Sequence, residues 1–434
     1  MRALLVLLLA AVAAAQVPQG HAAKVVCYWD GKSFWREGAA KVTAEDIKPA
    51  LQYCTHLIYG YAGIDDDDLV LKHLDEKLVL DSGKGQYKAA TGLKTFNAGL
   101  KVLLSIGGFG DTDDLGKYLE VLEDIEKRTK FVNSIHATLN QFNFDGVDLA
   151  WRFPEVKEKK DRNILSSAWH GLKKAVGVGV DDKWAEHRDQ FVNLVRELKG
   201  ALRTDGKLLS LGVLPHVNAS AYFDARNLCP QLDMLNLWTF DFRTPKRSKP
   251  QADYSAPLYY MYDRNQHQNA DAHVKWWMEN GCDASKINLG IPTFGRSWKL
   301  TTDSPSSGVP PILADGAGDE GTYSKIKGTL GYYETCTRVV SPTNSKAPAT
   351  LLRRMTDPTK RLGTYAYRLP QKDKGEEEGF WLSYEEPETA AYKSAYAKAK
   401  GLGGVVLVDL SLDDARGACD GTKFPILRSA KSNL

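Results

Sequence analysis

Short apolar runs rich in β-branched residues recur along the chain, and stretches with helical periodicity separate them. The eight runs are KVVCYW at 24, HLIYGYA at 56, KVLLSI at 101, FDGVDLAW at 144, LLSLGVL at 208, LDMLNLW at 232, INLGIPTF at 287 and GVVLVDL at 404. Apolar strands that alternate with helices are typical of a parallel sheet covered on its outside. Because eight such units close a barrel, the pattern predicts an α/β fold, a (β/α)8 TIM barrel.

Two connections between the predicted strands are too long for an ordinary crossover. The first follows the fourth strand and runs from Pro154 to about Glu186. The second contains the Gly- and Pro-rich stretch DSPSSGVPPILADGAGDEG, followed by mixed strand and helix patterns. It predicts a small α+β insertion domain at 297–376, between strand seven and its helix, with the barrel formed by 24–296 and 377–434.

The chain begins with an apolar segment. Residues 3–15 contain no polar side chain and end in three alanines, a small-residue pattern that suits signal-peptidase cleavage before Gln16. The alternative, a transmembrane helix, needs about 20 apolar residues, and this segment has 13. We therefore predict a signal peptide at 1–15 and a secreted, extracellular protein. The single Asn-x-Ser sequon, at Asn218, is then a predicted glycosylation site in a surface loop.

Positive and negative charges are nearly balanced. Removal of Arg2 with the signal peptide leaves 56 of the 57 Lys and Arg residues against 54 Asp and Glu. This near equality of positive and negative charges does not favour nucleic acid or an anionic membrane surface as a partner. We expect no nucleic-acid partner and no membrane insertion, and the sequence predicts neither a metal site nor a cofactor.

Six cysteines in a secreted chain allow three disulfides. Cys27 and Cys54 each begin a predicted strand, so a bridge between them is reasonable if these strands are neighbours. Cys229 and Cys282 each lie a few residues before a strand, and their pairing is a hypothesis with two free thiols as the alternative. The two cysteines left for a third bridge, by elimination, are Cys336 and Cys419.

Further motifs stand in order along the chain. They are SIGGFG (105–110), FDGVDLAWRFP (144–154), LNLWTFDF (235–242), LGIPTFGRSWKL (289–300) and GGVVLVDLSLDD (403–414). Together they resemble the motifs of glycoside hydrolase family 18, the chitinases and chitinase-like proteins. The resemblance covers essentially the whole mature chain. It implies a chitinase-type barrel.

The fourth strand differs from the pattern of active family members, Asp-Gly-x-Asp-x-Asp-Trp-Glu. The resemblance implies that this Glu protonates the glycosidic oxygen while the substrate's own acetamido carbonyl, oriented by the preceding Asp, attacks the anomeric carbon. Alternation along the strand is expected to place the equivalent positions on one face. Here these positions hold Asp145, Asp148, Ala150 and Arg152, so both catalytic carboxylates are missing.

Arginine does not replace the missing acid. Its guanidinium stays protonated at every accessible pH and gives no proton to a leaving group. We therefore predict that the chain is not an enzyme. A relocated acid at Glu155 is the alternative, although this residue lies past the end of the strand.

Other positions of the family's sugar site have changed as well. The Met-x-Tyr-Asp motif of strand six reads WTFD at 238–241, and Val408 stands where an aromatic residue floors the cleaved-sugar subsite. Asp241 and Arg296 do match the family. One interpretation is a retained sugar site. The other is that polar groups inside the barrel pair with one another; those polar groups are Asp145, Asp148, Asp241, Arg152 and Arg296.

A further set of stretches distinguishes the chain within the family. They are the Ala before the aromatic in FDGVDLAWRFP, TFDFRTP followed by ADYSAPLY, LRRMTDPTKRLGTYAYR, and FPILRSAK. These most closely resemble the non-catalytic imaginal disc growth factors, whose usual Gln is Arg152 here. The resemblance implies a secreted growth-factor protein that promotes cell proliferation, tissue remodelling and wound or cuticle responses through an unidentified cell-surface or extracellular protein.

A lectin that binds chitin or N-acetylglucosamine oligosaccharides without cutting them is the alternative function. Aromatic rings stack on the apolar faces of sugars, so the tryptophans near the predicted mouth are candidates for such contacts. The carbohydrate-binding candidates are Trp29, Trp151, Trp238, Asp241 and Arg296.

Overall fold

The computed structural model describes residues 22–154, 181–339, 351–370 and 378–434. The predicted signal peptide at 1–15, its cleavage site before Gln16, and Glu155 lie outside the described residues. Most of the long connection after the fourth strand lies outside them too. Within the four described ranges, no helix is long and apolar enough to cross a membrane.

Parallel strands close into a barrel in which each strand pairs with its neighbours in the sequence. The last strand pairs with the first, with Val406 opposite Val26, and this contact closes the ring. The predicted (β/α)8 barrel is confirmed. Its strands are β1 (Lys24–Asp30), β2 (His56–Ile64), β3 (Lys101–Gly107), β4 (Gly146–Ala150), β5 (Leu208–Val213), β6 (Met234–Leu237), β7 (Ile287–Pro292) and β8 (Gly404–Val408).

Helices cover the outside of the barrel. The helix Ile125–Gln141 begins after Asp124, whose carboxylate accepts hydrogen bonds from the backbone N–H groups of Glu126 and Lys127. The α-helices of the described residues are Ala44–Ile47, Glu76–Val79, Gln86–Gly92, Gly116–Glu123, Ile125–Gln141, Trp184–Arg203, Ala219–Tyr222, Ala225–Leu228, Ala270–Glu279, Tyr332–Arg338, Pro387–Ala399 and Pro425–Ser432. Short 3-10 helices lie at Gly31–Trp35, Gly38–Ala40, Lys48–Ala50, Leu93–Thr95, Cys229–Gln231 and Ala284–Lys286.

A five-stranded antiparallel sheet is inserted after β7. Only Thr293, itself fully buried, separates β7 from this sheet, so the chain passes from barrel to sheet without a loop. The sheet therefore extends beyond both ends of the predicted insertion, 297–376. Its strands, in spatial order, are Thr329–Gly331, Phe294–Leu300, Gly379–Tyr384, Thr364–Arg368 and Arg353–Thr356. Two shorter pairings join Leu71–Lys72 to β2 and Gln251–Ala252 to Ile312–Leu313.

Three disulfides join the six cysteines. The first links Cys27, in β1, to Cys54, just before the neighbouring β2. The second links Cys229 to Cys282, which precede the neighbouring strands β6 and β7. The hypothesis of this pairing is confirmed, and the alternative of two free thiols is wrong. The third bridge joins Cys336 of the insertion to Cys419 in the segment after β8.

We expect the double variant Cys229→Ser/Cys282→Ser to lose roughly 2 to 4 kcal/mol of unfolding free energy, because the bridge removes loop entropy from the unfolded chain. Guanidinium denaturation of wild type and variant measures the loss. Peptide mapping without reductant is the matched check on the wild type, and it should recover the two cysteines in one linked pair. A free thiol at either position would contradict the assignment.

Candidate functional site

The mouth of the barrel, at the C-terminal ends of the strands, contains an open cavity of about 420 Å³. This end of a (β/α)8 barrel is where loops from several strands converge. Segments after β3, β4, β5 and β6 form its walls. The lining residues are Phe109, Thr112, Leu115, Arg152, Phe153, Pro154, Leu214, Pro215, His216, Asp241, Thr244, Lys246 and Arg247.

Arg152 lies in this mouth, two residues after the end of β4. Its Nη1 donates a hydrogen bond to the carbonyl oxygen of Gly108. Its Nε is buried and has no hydrogen-bond partner among the described residues. Burial lowers the pKa of the guanidinium, while Tyr118 and Asp111 nearby act in the opposite direction. The mouth therefore presents a partly desolvated cation two residues beyond the end of β4.

Asp148 lies one layer deeper and is fully buried. Its carboxylate accepts hydrogen bonds from the hydroxyls of Tyr28 at 2.7 Å, Ser105 at 2.8 Å and Ser210 at 2.6 Å, and from Nδ2 of Asn236 at 3.4 Å. Burial raises the pKa of Asp148, and these four donors oppose that rise. Because its donors come from β1, β3, β5 and β6, this carboxylate holds the barrel interior together and is covered from the mouth.

Asp145 does not share the face of the other three positions, and that part of the predicted arrangement is wrong. Its Oδ2 accepts the backbone N–H of Val102 at 2.8 Å and lies 3.3 Å from Nζ of Lys94. The spacing from Asp145 to Asp148 is odd, so strand alternation directs the two side chains to opposite faces. Asp145 therefore acts at the other end of β4.

Asp241 and Arg296 form a bidentate ion pair. Nε of Arg296 lies 2.7 Å from Oδ1 and its Nη2 lies 2.5 Å from Oδ2. Arg296 also donates to the hydroxyl of Thr329 in the inserted sheet. Mutual pairing is thus confirmed for these two groups. It is wrong for Asp145, Asp148 and Arg152, because each uses nearer partners from adjacent strands or loops.

The three tryptophans predicted to stack on sugars are covered by other side chains. Trp29, Trp151 and Trp238 are each exposed by 1% or less. Trp29 meets Tyr59 edge-on, and Trp151 points outward against the helices because alternation turns its neighbour Arg152 inward. The stacking prediction is therefore wrong for all three rings.

Among the described residues that line the mouth cavity, Phe109 is an exposed aromatic residue, with 43% of its surface accessible. Its ring centroid lies 4.9 Å from that of Trp238, which it covers from the solvent side. The sequence signal was its place in SIGGFG, two residues after the end of β3, where barrel loops carry function. Val408, at the end of β8, is fully buried and offers no exposed platform.

Cations dominate the polar groups of the mouth. Arg152, Lys246 and Arg247 line the cavity together with one acid, Asp241, which already pairs with Arg296. Burial, reinforced by the positive charges of Arg152 and Arg247, lowers the pKa of His216 to about 4. Sequence reasoning missed Lys246, Arg247 and His216, because nothing in the linear pattern brings their loops to Arg152.

Asp409, directly after β8, is another buried carboxyl at this end of the barrel. Burial and the neighbouring Asp30 raise its pKa, a property that catalytic acids share. The backbone N–H and hydroxyl of Ser411 both hold this carboxyl, and it is not among the residues that line the mouth cavity. Its position does not make it a substitute for the missing acid.

One group of described side chains has the spacing of metal ligands: Cys336, Asp414 and Cys419. The two sulfurs are joined in a disulfide, and Asp414 accepts the backbone N–H of Cys419 at 2.8 Å. The two sulfurs and the carboxylate of Asp414 therefore already have bonding partners within the protein.

The barrel, the insertion after β7 and the mouth built around β4 define a protein of the glycoside hydrolase class. The family model for glycosyl hydrolases family 18 matches residues 24–413. The chain is 50% identical to Bacteria-responsive protein 1 of Aedes aegypti, over 95% of this chain and 94% of that protein. It is 44% identical to Imaginal disk growth factor 6 of Drosophila melanogaster, over 98% and 95% respectively. The chain belongs to glycosyl hydrolases family 18, among its chitinase-like imaginal disc growth factors.

A solved structure shows the same fold. Human YKL-39, described as a pseudo-chitinase with retained chitooligosaccharide binding properties, matches with a TM-score of 0.75 and 25% identity. The match covers 95% of this chain and 100% of that chain. The (β/α)8 barrel with its insertion is thus the fold of a known non-catalytic relative of the chitinases.

We expect Arg296→Met to destabilise the protein by about 3 to 5 kcal/mol, because it leaves the buried carboxylate of Asp241 without its cation. Urea denaturation measures the loss. The double variant Arg296→Met/Asp241→Leu is the matched control and should recover part of the stability, since no buried charge remains unpaired. A loss below about 1 kcal/mol in the single variant would show that the pair is solvent-screened.

Proposed function

We propose that this protein is a secreted, catalytically inactive chitinase-like growth factor, which acts by binding a cell-surface or extracellular protein. The observation that carries the absence of catalysis is the guanidinium of Arg152 in the barrel mouth, next to Ala150. Cleavage by the family mechanism needs a carboxylic acid and an orienting carboxylate at these two positions.

The expected loss of hydrolysis follows from the chemistry of Arg152 and Ala150. A positioned general acid contributes about 10² to 10⁴ in rate, and guanidinium releases no proton at accessible pH. The transition state of glycoside cleavage is positively charged, so a cation beside it is repulsive. Ala150 leaves no carboxylate to orient the acetamido group. Each of the three effects acts against hydrolysis.

Secretion and a growth-factor role rest on different support. Three disulfides suit an oxidising compartment, in agreement with the predicted signal peptide at 1–15. Imaginal disk growth factor 6 carries the growth-factor role in its name. Proliferation, tissue remodelling and wound or cuticle responses through a protein partner are therefore our proposal for this chain, as is glycosylation at the half-buried Asn218.

Binding of chitooligosaccharides without cleavage is the second candidate function. It is favoured by the open mouth cavity of about 420 Å³ and by the binding properties named for human YKL-39. The covered rings of Trp29 and Trp238, together with the buried Val408, argue for a weaker site than a stacked one. We rank it below the growth-factor function for these reasons.

We expect the purified secreted protein to release no products from chitohexaose at acidic or neutral pH, while it increases the proliferation of cultured cells in a dose-dependent way. Mass spectrometry of the sugar and cell counts measure the two outcomes. An active family 18 chitinase serves as the control for cleavage, and heat-denatured protein as the control for proliferation. Product release would contradict inactivity, and unchanged cell counts would contradict the growth-factor role.

A further inference from the structure

We propose that the barrel mouth binds an acidic oligosaccharide, a sugar chain that carries sulfate or carboxylate groups. This inference rests on the absence of cleavage in the proposed function, and it deepens the second candidate function, the binding of sugar chains in the mouth. Its starting point is the sign of the charge in the mouth.

The charge of the mouth is positive. Arg152, Lys246 and Arg247 project from two different loops into one cavity. Asp241 is the single acid among the described residues that line it, and its carboxylate is held by Arg296. An active site of this family needs several carboxylates at the same place, so the exchange at 150 and 152 reverses the local charge.

Arg152 is suited to an anionic group in particular. Its Nε is buried without a hydrogen-bond partner among the described residues, while its Nη1 is held by the carbonyl of Gly108. A guanidinium offers parallel N–H donors that match sulfate or carboxylate oxygens. Asp111 is the acid that acts on Arg152 from below, and a neutral sugar would add no negative charge on the cavity side, whereas an acidic sugar provides one there.

Two features favour a sugar chain over a small inorganic anion. Phe109 exposes its ring in the same cavity and provides an apolar platform beside the cations. A second cavity of about 490 Å³ adjoins the first and shares Pro215, His216 and Arg247 with it. No Asp or Glu is among the described residues that line this second cavity. The two cavities together offer more space than a single anion needs, and because the proposed glycosylation site Asn218 lines the second cavity, we place the acidic sugar in the first cavity and along the wall that the two share.

The state of His216 supports the same conclusion. The imidazole stands where the two cavities meet, and its pKa is lowered by burial and by the charges of Arg152 and Arg247. At neutral pH it is therefore uncharged; one ring nitrogen hydrogen-bonds to the backbone of Phe153, and the other can accept a hydrogen bond from a sugar hydroxyl.

Calorimetric titration of the purified full-length secreted protein with a heparin-derived hexasaccharide and with chitohexaose tests the proposal. We expect the heparin hexasaccharide to bind at least about tenfold more tightly at physiological ionic strength, and to weaken as salt is raised. Arg152→Gln should lower its association constant by about tenfold or more, because a hydrogen bond to a charged group is lost.

Arg226→Gln is the matched control. It removes one exposed positive charge from the short helix Ala225–Leu228, which precedes β6 near the opposite end of the barrel, and should change binding less than about twofold. If Arg152→Gln fails to fold, as judged by circular dichroism, Arg247→Gln at the exposed edge of the same cavity tests the same cluster. A polyglutamate peptide of equal charge should bind more weakly than the hexasaccharide.

Three results would overturn the proposal. They are equal affinity for both sugars, unchanged binding in the Arg152→Gln variant, and equal affinity for polyglutamate. Cleavage of chitohexaose in the same titration would instead contradict the proposed function. The absence of both cleavage and heparin binding would contradict this inference alone, so the two failures are distinguishable.

Discussion

Side chains alternate between the inside and the outside of a barrel strand. Along β4 this alternation determines which residues hold the barrel interior together and which reach the mouth. Asp148, Ala150 and Arg152 face inward in successive layers, while Trp151 faces the surrounding helices. The inner layer carries a carboxylate that the interior satisfies with four hydrogen bonds. The outer layers carry the residues that determine chemistry. A chain under this constraint retains its fold when the outer positions change, because the interactions that hold the barrel lie one layer below.

The residues at 150 and 152 lie outside the polar interior that stabilises the barrel, so the stability of the barrel does not depend on them. Asp148 keeps its donors from four strands, and Asp241 keeps its bidentate pair with Arg296, so the polar interior stays satisfied. At the mouth, Ala150 and Arg152 stand where, under our proposal, cleavage would need two carboxyl groups. What replaces them is a cation on a protein surface that remains open. We propose that this scaffold holds a partner instead of cutting a neutral polymer, and that the partner of the mouth itself is an acidic sugar.

The sequence predicted the barrel, the six-cysteine framework and the loss of the acid, because each depends on local pattern or on residue type at a fixed spacing. It mispredicted what depends on packing in three dimensions. Trp151 and Trp238 are aromatic and near the mouth, yet neighbouring rings and helices cover them. Asp145 was assigned to the inner face although its odd spacing directs it outward. Lys246 and Arg247 reach the mouth cavity because the loop after β6 folds over it. The path of a loop cannot be predicted from the periodicity of apolar residues.

The measurement that tests the charge of the mouth most directly is the titration of His216 by NMR in the wild type and in Arg152→Gln. The account predicts a wild-type pKa of about 4, from burial and from the charges of Arg152 and Arg247, and a higher pKa in the variant. Asp241 acts in the opposite direction but is already paired. A wild-type pKa at or above the ordinary value of about 6.5, unchanged in the variant, would contradict the cationic mouth.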